Sequence, residues 1–509
     1  MKWPAVHLPW RQDRCPGIVP LAWAMVLVSV ASCTRSPQEP ALDPPLGAEA
    51  QVAWQGLTLP PGILEQDQPL DVVIVSIDTL RADRLPFYGA DRPTAGNAEE
   101  AFHLAWLAEQ GTVWEQTWAP TGKTLPSLAS FWTGLSPYEH GAIDNHTATE
   151  EVTLAARLQA QGWATHAAVA NRSLQPAAGL AAGFDSYQIR FKQEEVLLGP
   201  KLLEQTKADV AAKKRLLVWA HFMAPHQPYE PRQEHRHAFA SAEELGAVAE
   251  NLQPVGLNPM LKTLHRQPAL ATPAVVEAVR ALYDAEILTA NDYLKDFLRG
   301  LDAQYREAGR GGLLDNAVLV FFSDHGEELA DHEGYFLHAK SLYSGVIQVP
   351  MIVVGGGWAA GERIAAPLAM EDILSMVVEG QRPQRSLFPS SWKSQFYALR
   401  DGPWTLIHNP GQDPQGPREP PQDAAFLYPQ VALYHRGQDP TEQTNLATQE
   451  VARTRAMMNA LRDWYLSVEP TVGAAMEVDP QAMSQLGYVE GASPDERLVL
   501  PLRGEDWKP

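Results

Sequence analysis

Leu70–Asp78 reads LDVVIVSID. A run of β-branched apolar residues this short, with no polar residue alternating through it, suits a strand buried on both faces of a parallel sheet. The runs RLLVWAH (Arg215–His221), NAVLVFFSDH (Asn316–His325) and VPMIVVGGG (Val349–Gly357) have the same character. Between them, residues 98–111, 149–162 and 272–302 space their apolar side chains at helical intervals. Strands alternating with helices predict an open α/β sheet, largely parallel and flanked by helices. Beyond about residue 365 the pattern changes. Short strands near Trp404–Ile407 and Ala432–His435, a loop rich in proline and glycine, and a helix in TQEVARTRAMMNALRDWYLSV predict a small C-terminal α+β subdomain.

Three of the strand runs close on residues that carry chemistry. The first ends in Asp78, the second in His221 with His226 close behind, and the third in Asp324 and His325. In open α/β sheets the site lies outside the carboxyl ends of the strands, so these side chains converge on one crevice. Two carboxylates with histidine form a ligand set for a hard divalent metal or for zinc. TGKTLPSLASFWTG, Thr121–Gly134, adds an alcohol: a helix starting at Pro126 directs its free amide groups at the residues before it, and Thr124 sits there. A capping role is one reading of that hydroxyl. The other is a nucleophile activated by a metal and a helix N-terminus.

Composition narrows the partners. The 509 residues carry a formal net charge of −21 with no basic run, which argues against nucleic acid or a broad anionic membrane surface. An anionic substrate then needs local cations. The N-terminus reads as a processing segment: Lys2, Arg11 and Arg14 precede the apolar run Gly17–Ser32, which ends in VASC, similar to a bacterial lipobox with Cys33 as the lipidated residue. Residues 1–33 are therefore expected to be a lipoprotein signal peptide and 34–68 a flexible tether, rich in proline. The expected location is the bacterial cell envelope, periplasm or outer membrane. No cysteine follows Cys33, so the mature fold has no disulfide.

Four motifs carry a resemblance. VVIVSIDTLRADRLPFYG (Val72–Gly89), TLPSLASFWTGLSPYEHG (Thr124–Gly141), HFMAPHQPYEP (His221–Pro231) and the run Phe321–Gly356 resemble, in this order, sulfatases of the alkaline phosphatase superfamily. Weaker echoes lie at Gly179, at Ala432 and at LGYV, Leu486–Val489. The resemblance implies an alkaline-phosphatase-like sulfatase fold, with a catalytic domain over 69–365, a C-terminal subdomain completing the fold over 366–490, and a tail over 491–509. It implies Asp78, Thr124, Asp324 and His325 as ligands of a divalent ion (calcium, zinc, manganese or magnesium), with Thr124 as nucleophile. It places His226 at the leaving group and His338 and Lys340 as basic groups gripping the anion. Lys123 could add positive charge by position. Arg81, in DTLRAD, reads either as orienting its loop or as a surface cap.

Departures from the pattern shape the expected chemistry. Thr124 stands where sulfatases carry Cys or Ser, the precursor of formylglycine; Leu128 replaces an Arg, Thr79 the second acid of a DD pair, and Asn171 a Lys. A threonine has one hydroxyl, so its covalent intermediate needs a water or another acceptor. The expectation is an ester hydrolase acting on a small-molecule, glycan or lipid sulfuric or phosphoric ester. The alternatives are a phosphodiesterase or phosphoethanolamine-type transferase, and an inactive, surface-tethered binding protein.

Overall fold

The computed structural model describes residues 42–68, 70–246, 264, 270–332, 336–338, 341–392, 396–410, 429–476 and 501–509. The lipobox, Lys340 and Leu486–Val489 lie outside these residues. No described helix is long and apolar enough to cross a membrane.

The large sheet contains β1 (Asp71–Ile77), β2 (Thr112–Trp118), β3 (Ala164–Val169), β4 (Ser186–Ile189), β5 (Leu216–Phe222), β6 (Ala317–Ser323), β7 (Gln348–Val354) and β8 (Glu362–Ile364), with the short β9 (Leu368–Ala369) beside β2. Its order is β8-β2-β7-β6-β1-β5-β3-β4. The central strand β1 pairs in parallel with both β5 and β6, so the carboxyl ends of the three site-bearing strands lie side by side.

Both faces of β1 are dry, which is why its sequence does not alternate. Val73, Val75 and Ile77 join an apolar layer with Val279, Leu282, Ile287 and Leu294 of the long helix Pro273–Glu307. Val72 and Ile74 face the opposite layer, with Leu125, Leu128, Phe131 and Trp132 of the helix Thr124–Thr133. Each such buried side chain contributes roughly 1.5–3 kcal/mol of transfer free energy.

The expected strands are present, but the fourth runs the other way. β7 is antiparallel to both β6 and β2. A parallel return needs a crossover to the far edge of the sheet. Here the chain after β6 stays at the carboxyl edge, where Gly326 N–H bonds Val346 O, and enters β7 from that side. The helix that bears Thr124 also differs from expectation, starting at Thr124 with Lys123 as N-cap rather than at Pro126. Thr124 is thus the first helical residue.

A second, four-stranded antiparallel sheet follows: Phe388–Trp392, Phe396–Asp401, Trp404–His408 and Val431–His435, covered by the helix Val451–Ser467. β9 still pairs with β2, so the large sheet continues past residue 365. Part of the expected tether is ordered structure. Ala48–Gln55 is a helix that buries Ala50 and Trp54, with Trp54 Nε1 donating to Pro367 O at 3.0 Å and Gly47 N–H to Asp401 Oδ1 at 2.8 Å. The described part of the tail, 501–509, likewise packs, with Trp507 buried against Met457 and Leu461.

Candidate active site

The carboxyl ends of β1, β5 and β6 bring Asp78, His221, Asp324 and His325 together, all fully buried. Thr79, directly after Asp78, has φ 57, a left-handed conformation that costs a β-branched residue roughly 1–3 kcal/mol. Its N–H donates to Asp324 Oδ1 at 3.2 Å and its carbonyl accepts the Tyr283 hydroxyl at 2.6 Å. The turn after β1 is thereby tied to β6 and to the long helix.

Each carboxylate spends one oxygen on the protein and leaves the other to the centre. Asp324 Oδ1 accepts N–H from Thr79 and from His325, the latter at 2.9 Å. Asp78 Oδ2 accepts Asn171 Nδ2 at 2.7 Å. Asp78 Oδ1, Asp324 Oδ2 and His221 Nε2 are buried and hydrogen-bond to nothing among the described residues. Ligand atoms of Asp78, His221 and Asp324 lie within 4.8 Å of one another. His325 donates Nδ1–H to Gly326 O at 2.9 Å, which turns Nε2 inward, 3.5 Å from Asp324 Oδ2 and 3.9 Å from Asp78 Oδ1.

The charge balance points the same way. Burial, then the Asp78 carboxylate, pushes the Asp324 carboxyl well above its ordinary range. Burial would raise Asp78 too, but the imidazoles of His226, His221 and His325 hold it well below. Two buried carboxylates at this spacing do not both ionise without added positive charge. A divalent cation would supply that charge, and the inward-facing donors fit one.

Thr124 Oγ1 stands at the rim of this donor set, 3.4 Å from both Asp78 Oδ2 and His325 Nε2. Asn171, at the end of β3, donates to it from 3.3 Å, while Ser173 N–H at 2.8 Å fixes the Asn171 carbonyl. A second group of histidines adjoins it. His226 is 5.1 Å from His338, and His338 is 4.6 Å from His325, between ring centroids. His226 Nδ1–H donates to Gln227 O at 2.7 Å, and burial lowers its pKa to about 4. His338 Nδ1 lies 2.9 Å from Glu327 Oε1; burial pushes His338 down and Glu327 up to about 7.

The structure therefore brings together Asp78, Thr124, Asp324, His325, His226 and His338; Lys340 lies outside the described residues. Lys123 is buried, not solvated, and its charge helps depress His325 and His338. Arg81 is no surface cap: it is buried, donating to Glu327 O at 2.9 Å and gripping Asp83 and Asp331. Leu128 lies in the apolar layer, so no cation stands at its place. Two roles escaped the sequence: Glu327 was only quoted inside a motif, and Asn171 counted only as a departure. His221 was read among the converging strand-end residues, though the resemblance did not assign it as a ligand.

Comparison with known proteins bears on this geometry. A family model described as Sulfatase matches residues 71–379. The chain belongs to the sulfatase family. Curated relatives of this sulfatase-family chain include Arylsulfatase K of Xenopus laevis, 26% identical over 41% of this chain and 40% of that protein. Choline-sulfatase of Rhizobium meliloti (strain 1021) is 21% identical over 54% and 55% respectively. The chain thus spans about two fifths to just over half the length of these relatives. Among solved structures, the phosphonate monoester hydrolase of Agrobacterium radiobacter aligns with TM-score 0.55 and 16% identity over 78% of this chain and 95% of that one. A structure in complex with its substrate D-glucosamine-2-N,6-O-disulfate aligns with TM-score 0.58 and 15% identity over 79% and 99%. Both likenesses establish the alkaline-phosphatase-like fold.

Proposed function

We propose that this protein is a metal-dependent hydrolase of sulfuric or phosphoric esters in which Thr124 is the nucleophile. The observation that carries the reading is the place of Thr124 Oγ1, at a helix start and 3.4 Å from two members of a buried, inward-facing donor set. Asp78, Asp324, His325 and His221 would hold the ion; two carboxylates with two imidazoles suit zinc or manganese better than calcium. When bound, the ion supplies charge neutralisation of the ester oxygens and lowers the pKa of the threonine alcohol, a contribution of several kcal/mol.

The chain's own groups do the rest. Thr124 passes its Oγ1 proton toward Asp78 Oδ2, the acceptor 3.4 Å away, and on to solvent, and attacks sulfur or phosphorus; the bond to the leaving alcohol breaks as the new O–S or O–P bond forms. Asn171 Nδ2–H already points at the attacking oxygen, so its developing charge meets a fixed donor. His226 is neutral in the resting site. An anionic ester favours its imidazolium, which then passes the Nε2 proton to the leaving oxygen, worth about a hundredfold or more. Water then attacks sulfur or phosphorus, the bond to Thr124 Oγ1 breaks, inorganic sulfate or phosphate leaves with the water oxygen, and a proton from that water restores the alcohol.

Similarity to proteins described as arylsulfatase, choline-sulfatase and phosphonate monoester hydrolase supports an anionic ester substrate and leaves sulfur and phosphorus both in play. The VASC lipobox supports a protein tethered through Cys33 in the bacterial envelope. Paired aryl sulfate, phosphate and phosphodiester substrates, with metal-stripped and zinc-, manganese- or calcium-loaded protein, test the reading. Turnover requiring metal and Thr124 is expected. Metal binding without turnover of any ester would favour a tethered binding protein or a transferase lacking its acceptor.

A further inference from the structure

The reaction leaves one buried charged cluster unused. His226 lies in the loop MAPHQPYE, Met223–Glu230, between β5 and the long helix. Two of its eight residues are prolines without N–H groups, so the loop cannot close a regular ladder, and its remaining backbone groups need other partners. Besides the His226 N–H, which bonds Met223 O within the loop, and the Gln227 carbonyl, which accepts His226 Nδ1–H, further partners come from a single 3-10 turn, Lys192–Leu197, and from the long helix. Lys192 Nζ donates to the carbonyls of His226 and of Pro228, the latter at 2.7 Å, and pairs with Glu286 Oε1 at 3.0 Å. Glu195 Oε1 accepts the N–H of Met223 and, at 3.1 Å, of Ala224. Glu286 Oε1 also accepts the Glu230 N–H at 2.7 Å. Glu195 is 2% exposed and Glu286 1%. The charge-assisted bonds of Lys192 and Glu286 are about twice as strong as neutral ones, and with the two N–H groups held by Glu195 they fix the loop on both sides of His226.

We propose that Lys192 and Glu195 are positioning residues that aim His226 at the leaving group, a role resting on the reading of His226 given above. Neither touches the substrate. Their effect reaches the reaction through the place of one imidazole, so it falls on the step that expels the alcohol and not on binding. A displacement of about 1 Å in such a group costs up to roughly a hundredfold.

The test compares the full-length metal-loaded protein with Lys192→Met, Glu195→Met and His226→Ala on aryl esters of graded leaving-group acidity. The expected result is a kcat loss of about 10- to 100-fold for the poorest leaving groups, shrinking as the leaving group improves, with KM unchanged. His226→Ala should show the same steepened dependence, and adding Lys192→Met to it should cost little more. Faster amide hydrogen exchange at Met223, Ala224 and Glu230 in both clamp variants is the companion readout that needs no turnover. Glu195→Met is close in length and takes the acceptor from the Met223 and Ala224 N–H groups, so it keeps the test open if Lys192→Met does not fold. A uniform loss across leaving groups in the clamp variants, beside a steepened His226→Ala, overturns the clamp alone. A flat His226→Ala response overturns the role of His226 and the clamp with it.

Discussion

Thr124 has a single hydroxyl, and its substitutions follow from that. Thr124→Ala removes the nucleophile and is expected to lower kcat at least about a thousandfold while the protein still binds metal through the other donors. Thr124→Ser keeps the oxygen and should keep measurable turnover. Asn171→Ala leaves Asp78 Oδ2 and Thr124 Oγ1 without their common amide donor. Steady-state kinetics should then show kcat reduced by about a hundredfold or more, the usual cost of a lost oxyanion-type donor, with KM little changed. An Asn171→Ala variant with full kcat would remove that residue from the mechanism. At this scale the sequence was legible where a residue ended a strand, as with Asp78, Asp324 and His325. It was not legible where the role depends on a neighbour from another strand: nothing near Asn171 in the chain says that its amide bridges Asp78 and Thr124.

The helix Thr124–Thr133 places the proposed nucleophile, and its packing carries two expectations. Phe131 stacks on Phe322 of β6 with ring centroids 4.1 Å apart, so Phe131→Ala should cost roughly 3–5 kcal/mol in denaturant unfolding. The second concerns His140, buried just beyond this helix, whose Nδ1 accepts Ala142 N–H at 3.1 Å and whose Nε2 meets Ser130 Oγ at 3.0 Å. Burial lowers its pKa from 6.5 to about 3. Below pH 6.5 the unfolded chain takes up a proton that the native imidazole refuses, so this contribution is whole above 6.5 and is lost as pH falls. Between pH 6 and 4, unfolding free energy should therefore drop more steeply in the wild type than in His140→Gln, by about 1.4 kcal/mol per pH unit. Equal slopes would contradict it. Strand positions were readable because burial on both faces leaves continuous apolar runs; the direction of β7 was not, because direction depends on which edge the connection leaves from.

Across the whole molecule, one segment expected to be a flexible tether bonds to both sheets. Trp54 of the N-terminal helix bonds Pro367 near the large sheet, and Gly47 bonds Asp401 of the small one, which Arg453 also contacts at 3.3 Å. The proline-rich composition of this region concealed a single buried tryptophan. Trp54→Ala should lower the melting temperature, at a cost of roughly 3–5 kcal/mol, without altering metal affinity. Metal acts on the same global stability. Because Asp78 and Asp324 face each other buried, saturating zinc or manganese at about a hundred times its Kd should stabilise the fold by about 2.7 kcal/mol. A melting temperature indifferent to metal would argue against the assigned donors.

The most direct test is acid-quenched peptide mapping of metal-loaded protein during turnover of an aryl sulfate and of the matching phosphate. The account predicts a sulfo or phospho group on Thr124 in the wild type, absent from Thr124→Ala together with turnover. Undiminished turnover by Thr124→Ala, with no adduct on Thr124 in the wild type, would contradict it.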